Sequence, residues 1–208
     1  MHKDASLNSG LSSDTWAIKI GGSLYNSQYL VQWLDAISEC SSKKIAIIPG
    51  GGPFADQVRL ADEKFNMDQA SSHGMAVMAM QQYGSLLASQ CVGLATARTT
   101  EQIHQAWSES KAVIWEPYEM VRDQCTLDKT WDITSDSLAV WLTSILEIKN
   151  LLLIKSSKQV LETTNLEILA KNGCIDPALQ ELVNNYQIDI DVLHKSKVKN
   201  LYEMLISA

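Results

Sequence analysis

The chain has 208 residues, 46% of them hydrophobic, a length that suits one large core and a single domain. Its formal net charge of −7 and pI near 5 lack the positive footprint that a nucleic acid or an anionic membrane demands, so any phosphate site has to be made locally. No apolar stretch approaches the roughly 20 residues of a membrane span, and Cys40, Cys91, Cys125 and Cys174 are too scattered for a CxxC or a metal-spaced Cys/His cluster, so they read as reduced, mostly buried thiols.

The polar start, residues 1–14, has neither the apolar core of a signal peptide nor any periodicity. It reads as a frayed tail on a cytoplasmic protein, ahead of one domain over 15–208. Thr15 to Leu24, TWAIKIGGSL, is an apolar strand broken by Lys19 and closed by Gly21 and Gly22. A cation late in a strand, followed by bare backbone, suits an anion approaching the strand's carboxyl end, and phosphate fits best. Gln28 to Glu39 then sets Leu30, Val31, Leu34 and Ile37 at helical spacing.

Lys44 to Phe54, KIAIIPGGGPF, repeats the first turn: an apolar strand, then Gly50, Gly51 and Gly52, then Pro53 at the favoured first position of a helix running to about Phe65. Glycine brings a ligand within reach of the peptide N–H groups. A helix starting there adds unpaired donors and its positive dipole end. Two such turns predict two anionic ligands, or two ends of one reaction. A tight connection alone can call for glycine, but three in a row exceed that need. Neither turn is GxxxxGK[ST] or GxGxxG, which removes the main support for P-loop and Rossmann readings.

A long helix is expected over Asp68 to Ala88, with Met75, Met78 and Met80 filling core gaps. His73, in SSHGM, is either a substrate contact or a capping, partly buried histidine. A short apolar run at Val92 to Ala95, a helix from about Thr99 to Ser108 and a strand at Lys111 to Trp115 follow. Thr134 to Leu146 carries Leu138, Trp141, Leu142 and Ile145 at helical spacing and opens with its own cap, Thr134-Ser135-Asp136. Trp131, just before it, is placed to wall a pocket. Asn150 to Ile154 is apolar throughout, as a strand covered on both faces should be, and runs into Lys155. A helix over Pro177 to Asn184, a strand near Ile188 to Leu193 and a helix from Lys197 to Ile206 complete an α/β alternation that predicts a largely parallel, doubly wound sheet.

Lys19, Asp136 and Lys155 each sit where a strand ends or a helix begins, the edge at which open α/β sheets bind ligands, so the three can converge. Each also has a plainer account. Lys19 can snorkel to water. Asp136 can merely stabilise a helix dipole, by about 0.3–1 kcal/mol. Lys155 can be a solvated strand end before the polar turn Ser156-Ser157-Lys158.

The order KIGGS, PGGGPFAD, WDITSDSLAVWL resembles the amino acid kinase family, which includes acetylglutamate, aspartate and uridylate kinases, over nearly all of Thr15 to Ile206. Ser71-Ser72-His73, the run from Trp131 to Ala139 and the turn Asp176-Pro177 are similar to the branch that phosphorylates an aminomethylfuran phosphate to its diphosphate in methanofuran biosynthesis. The resemblance implies a three-layer αβα sandwich, an ATP-dependent phosphotransferase, a small-molecule acceptor and a homo-oligomer, with the Asp68 to Ala88 helix a candidate interface. Mg²⁺ would be held mainly by ATP's own oxygens, with no metal ligands from the protein. ATP would lie over the carboxyl-terminal half and the acceptor over the amino-terminal half.

By the same resemblance, Lys19 would bridge donor and acceptor phosphates and Asp136 would orient it. Gly21, Gly22, Ser23, Lys155, Ser156 and Lys158 would serve the nucleotide and the moving phosphoryl group. Gly50, Gly51, Gly52, Pro53, His73, Thr134 and Ser135 would serve the acceptor. Two departures from the family pattern stand out. Where relatives commonly read Thr-Asp-Val-x-Gly-Val, this chain has Lys155-Ser156-Ser157-Lys158, and a second catalytic lysine is missing at Asn172 to Asp176, a role that Lys155 is expected to take. The alternative is a non-catalytic nucleotide- or oxyanion-binding storage protein on the same fold, which the altered segment would suit.

Overall fold

The computed structural model describes residues 14–40 and 42–207, so the segment read as a tail lies outside the described residues except for Asp14. Asp14 belongs to the folded unit, because its carbonyl accepts from Lys44 N at 2.9 Å and its carboxylate pairs with Lys43 at 2.8 Å. In chain order the elements are β1 (Thr15–Ile20), α1 (Tyr29–Glu39), β2 (Lys44–Pro49), α2 (Gly52–Phe65), α3 (Gln69–Gln90), β3 (Ala95–Ala97), α4 (Thr100–Ser108) and β4 (Val113–Trp115). There follow α5 (Tyr118–Gln124), α6 (Ser135–Ile145), β5 (Asn150–Lys155), α7 (Leu166–Lys171), α8 (Leu179–Tyr186), β6 (Asp189–His194) and α9 (Lys199–Ser207). Short 3₁₀ turns at Gly22–Asn26 and Lys158–Leu161 follow β1 and β5.

Among the described residues six strands lie in the order β3-β4-β2-β1-β5-β6, and every pair is parallel. Helices cover both faces, which is why β1, β2 and β5 are nearly continuous apolar runs. On one face Ile18, Ile45, Leu152 and Ile154 pack with Trp33 and Leu34 of α1 and Leu201 of α9. On the other, Ala17, Ala46, Leu151 and Leu153 pack with Trp107 of α4, Leu138 and Leu142 of α6 and Leu179 of α8. The expected αβα sandwich is present. The chain works outward from β1 through β2, then crosses back over β1 to β5, so the carboxyl end of β1 is a topological switch point.

Several expectations are corrected. Of the three methionines, only Met80 is buried at 4%; Met75 and Met78 lie on the outer stripe of α3 at 39% and 46% exposure. Among the cysteines, all free, Cys91 alone is buried. Val92 is fully exposed and the strand there begins at Ala95, whose small residues are held by pairing with β4 rather than by a hydrophobic face.

Candidate active site at the carboxyl edge of the sheet

The alternation of β1 turns Lys19 to the same face as Ala17, beneath α6. Lys19 is in register with Leu153 of β5, so Lys155, two residues further, shares that face one strand over. The first turn of α6, entered through the Thr134 cap, brings Asp136 between them. Lys19 Nζ lies 2.6 Å from Asp136 Oδ1, with both side chains at or below 4% exposure, and Lys155 Nζ donates to Oδ2. Burial alone would raise the carboxyl of Asp136, but the two lysine charges and their hydrogen bonds outweigh it and hold the group down to about 2. Burial and the neighbouring Lys19 charge pull the Lys155 ammonium down against the attraction of Asp136. Two cations share the one carboxylate of Asp136, which holds both ammonium groups where a ligand approaches.

The glycine turns interlock. A Cβ on Gly50 would sit 2.4 Å from Gly22 N, and one on Gly22 would sit 2.4 Å from Gly52 N. Gly52 has φ +56°, and a Cβ there would press on the Tyr83 ring at 2.9 Å. A Cβ on Gly51 would meet Ala55 Cβ at 2.3 Å, so each glycine of the run has its own steric reason, backbone contact at Gly50 and side-chain contact at Gly51 and Gly52, which corrects the expectation that the triplet exceeds structural need. Gly50 is buried in this contact and lines neither of the two cavities that open here.

The first cavity, about 320 Å³, is lined by Gly51, Gly52, Pro53, His73, Thr134 and Ser135, with Tyr25, Val77, Met80, Trp131 and Leu138 as apolar wall. The second, about 380 Å³, is lined by Lys19, Gly21, Lys155, Ser156, Ser157, Gln159 and the turn Asn172 to Cys174. Gly22 and Ser23 line both. Ser23 Oγ lies 2.6 Å from Ser156 Oγ, tying the two turns together. Of the residues singled out from sequence, Lys158 is exposed and lines neither cavity.

His73 Nε2 is buried without a hydrogen-bond partner among the described residues, and burial, helped by the Lys129 charge, pushes the imidazole down from its ordinary value. Trp131 does wall the first cavity. It is pinned there by Asp62, whose carboxylate accepts from Trp131 Nε1 at 2.7 Å and from Ser72 Oγ at 2.8 Å, and by the Arg59 guanidinium 5.3 Å from the ring centroid. Sequence reasoning missed Asp62, Tyr25 and Gln159. The signal available for Asp62 was an acid in α2 facing a serine in α3, visible only once the two helices are paired.

Among the described residues no group of three or more His, Cys, Asp or Glu is placed to hold a metal ion, and no helix is long and apolar enough to cross a membrane. The family model described as "Amino acid kinase family" matches residues 14–168. The [5-(aminomethyl)furan-3-yl]methyl phosphate kinase of Methanocaldococcus jannaschii is 32% identical over 138 residues, which are 65% of this chain and 63% of that protein, so the match spans less than two thirds of the relative's length. The fold is that of the UMP kinase of Ureaplasma parvum, with TM-score 0.65 and 15% identity over 92% of this chain and 96% of that one. It is also that of the uridylate kinase of Archaeoglobus fulgidus, with TM-score 0.68 and 14% identity over 92% and 95%.

Proposed function

The chain belongs to the amino acid kinase family, and from that premise we propose that it transfers the γ-phosphoryl group of ATP to a small phosphorylated acceptor, an aminomethylfuran phosphate. The observation that carries this reading is the Lys19–Asp136–Lys155 cluster at the meeting of two cavities that share Gly22 and Ser23. A donor in the second cavity and an acceptor in the first would bring their phosphates together over one glycine turn.

The first cavity suits such an acceptor. The start of α2 at Gly52 offers backbone donors and a positive dipole end to a phosphate, and Tyr25, Met80 and Trp131 offer a flat apolar wall to a ring. An acceptor phosphate oxygen is already anionic at neutral pH, so no general base is required. That oxygen attacks the γ-phosphorus, the bond to the β,γ-bridging oxygen breaks, and ADP leaves with the electron pair. Lys19 neutralises charge on both sides of the moving group, Lys155 meets the charge developing on the leaving phosphate, and Asp136 keeps both ammonium groups aimed.

Both oxygens of Asp136 are engaged by lysines. Mg²⁺ is expected to enter with the nucleotide, on ATP's oxygens.

The direct test is ADP release coupled to acceptor phosphorylation with the purified protein, aminomethylfuran phosphate and MgATP. Lys19→Ala is expected to bind MgATP analogue more weakly and to lose about 10²–10³ in turnover, the scale of removing a charge aimed at a transition state. Wild-type turnover in Lys19→Ala removes that lysine from the mechanism. Saturable analogue binding by the wild type with no transfer to any phosphate acceptor would favour the storage reading instead.

A further inference from the structure

We infer that Asp176 is a positioning residue of the transfer site: it clamps the first turn of α6 and thereby sets where Asp136 holds Lys19 and Lys155. The inference rests on the reading of those three residues as the transfer machinery. Asp176 lies ahead of α8, is 5% exposed, and belongs to no step of the reaction. Its Oδ1 accepts from Thr134 Oγ1 at 2.6 Å. Its Oδ2 accepts from Thr134 N at 3.0 Å, Ser137 N at 3.0 Å and Ser137 Oγ at 2.7 Å. Asp136 sits inside this bracket, with a bonded residue on either side.

A helix start ordinarily satisfies its free N–H groups with its own N-cap side chain. Thr134 does this poorly, since its Oγ1 is 3.5 Å from Asp136 N, and the cap is delegated to a residue 39–42 positions away in sequence. A neutral Asn has the same shape and an acceptor oxygen for the two N–H groups. Instead the fold buries a second carboxylate near Asp136, where burial first and the Asp136 charge second push the Asp176 carboxyl up. Such a placement costs stability that hydrogen bonds and opposite charge have to offset. The beneficiary is Lys155, whose charged form Asp176 supports together with Asp136, against burial and the repulsion of Lys19. Asp176 thus acts twice, by geometry on Asp136 and by charge on Lys155.

Pulse acetylation with acetic anhydride, read by mass spectrometry and normalised to the exposed Lys64, reports how firmly Lys19 and Lys155 are held, whether or not the protein is a kinase. In Asp176→Ala, the normalised labelling of Lys155 is expected to rise about fivefold. Turnover per folded molecule should fall about 10²-fold, the cost of an ångström-scale misplacement, with both KM values within about threefold. Asp176→Asn retains the shape of the cap and should return kcat to within about tenfold of wild type, while Lys155 labelling persists to lower pH because its charged form has lost support.

Wild-type labelling and wild-type kcat in Asp176→Ala overturn the inference, as does a lowered melting temperature with kcat per folded molecule unchanged. If Asp176→Ala does not fold, Ser137→Ala removes one of the four bonds. It should raise Lys155 labelling about twofold and lower kcat about threefold, and no change in either overturns the inference. A wild type that transfers no phosphoryl group sinks the proposed function alone; the labelling then decides the role of Asp176.

Discussion

The two cavities that meet at Gly22 and Ser23 are built in different ways. The first is walled by helices whose side chains are locked across long distances in the chain: Asp62 of α2 holds both Ser72 of α3 and Trp131, and His73 is enclosed beside them. The second is made of turns and polar groups, Gly21 to Ser23, Ser156 to Gln159 and Asn172 to Cys174, with Cys174 Sγ 2.7 Å from Gln159 Oε1 and 3.2 Å from Ser157 Oγ. A rigid, partly apolar cavity selects by shape, whereas a polar cradle of turns and lysines holds charge. In the proposed reaction the first would choose the acceptor and the second would handle what all donors share, a polyphosphate.

Breaking the charge cluster that underlies the shared glycine turn should have the largest effect. Asp136→Ala leaves two buried ammonium groups without their anion, a change on the order of 3–5 kcal/mol in stability, and it should abolish transfer by about 10³-fold through loss of both lysine positions. Urea unfolding and initial rates check the two parts. The pH dependence has a definite sign. The folded carboxyl is held down to about 2 against roughly 3.9 unfolded. Its contribution is therefore fully present above about pH 4 and is lost as pH falls through about 2. The urea midpoint should fall more steeply from pH 5 to 2 in the wild type than in Asp136→Asn.

A change confined to the donor side comes next. Lys155→Ala is expected to lower kcat about 10²-fold and weaken MgATP-analogue binding, with the acceptor dissociation constant within about threefold. Calorimetry with each ligand separates the two. Unchanged turnover would end the assignment of Lys155 to the place of the absent second lysine. On the acceptor side, Trp131→Ala removes a wall, with its bond to Asp62 and its contact with Arg59, but leaves Lys19, Asp136 and Lys155 in place, so acceptor KM should rise about tenfold, or about 1.4 kcal/mol, with kcat and ATP KM nearly constant. A change in ATP KM instead would show that the two cavities are not separable.

The same contrast explains what could be read from the chain alone. Lys19, the two glycine turns and Asp136 were legible because each sits on a local pattern, a strand meeting glycine or a cap opening a helix, and such patterns survive without tertiary information. The interlocking of Gly22, Gly50 and Gly52 was not, since it depends on two turns 30 residues apart lying backbone to backbone. Asp62 and Asp176 were equally opaque in role: they act on residues 69 and 42 positions away, and an isolated acid in a helix or loop reads as solvated surface. Met75 and Met78 were misplaced because they are apolar residues on an outer stripe whose other members, Ser71, Gln82, Ser85 and Ser89, are uncharged and mark the face only weakly. The short helices α5 and α7 offer too few turns for a period to emerge.

Lys158 supplies the smallest expected effect and a sharp control on the donor side. Composition alone makes it as good a phosphate ligand as Lys155, three residues earlier. The structure separates them: Lys155 ends β5 on the α6 face and meets Asp136, whereas Lys158 opens the next 3₁₀ turn, exposed and outside the cavity lining. An exposed ammonium outside the lining acts on a polyphosphate through screened water, where interactions beyond about 8 Å fade at physiological salt. Lys158→Ala should therefore change ATP KM by less than about twofold at 0.15 M salt and somewhat more in dilute buffer. A tenfold rise that persists at high salt would mean that the 3₁₀ turn closes over the nucleotide, and that the second cavity is shaped by its ligand rather than before it.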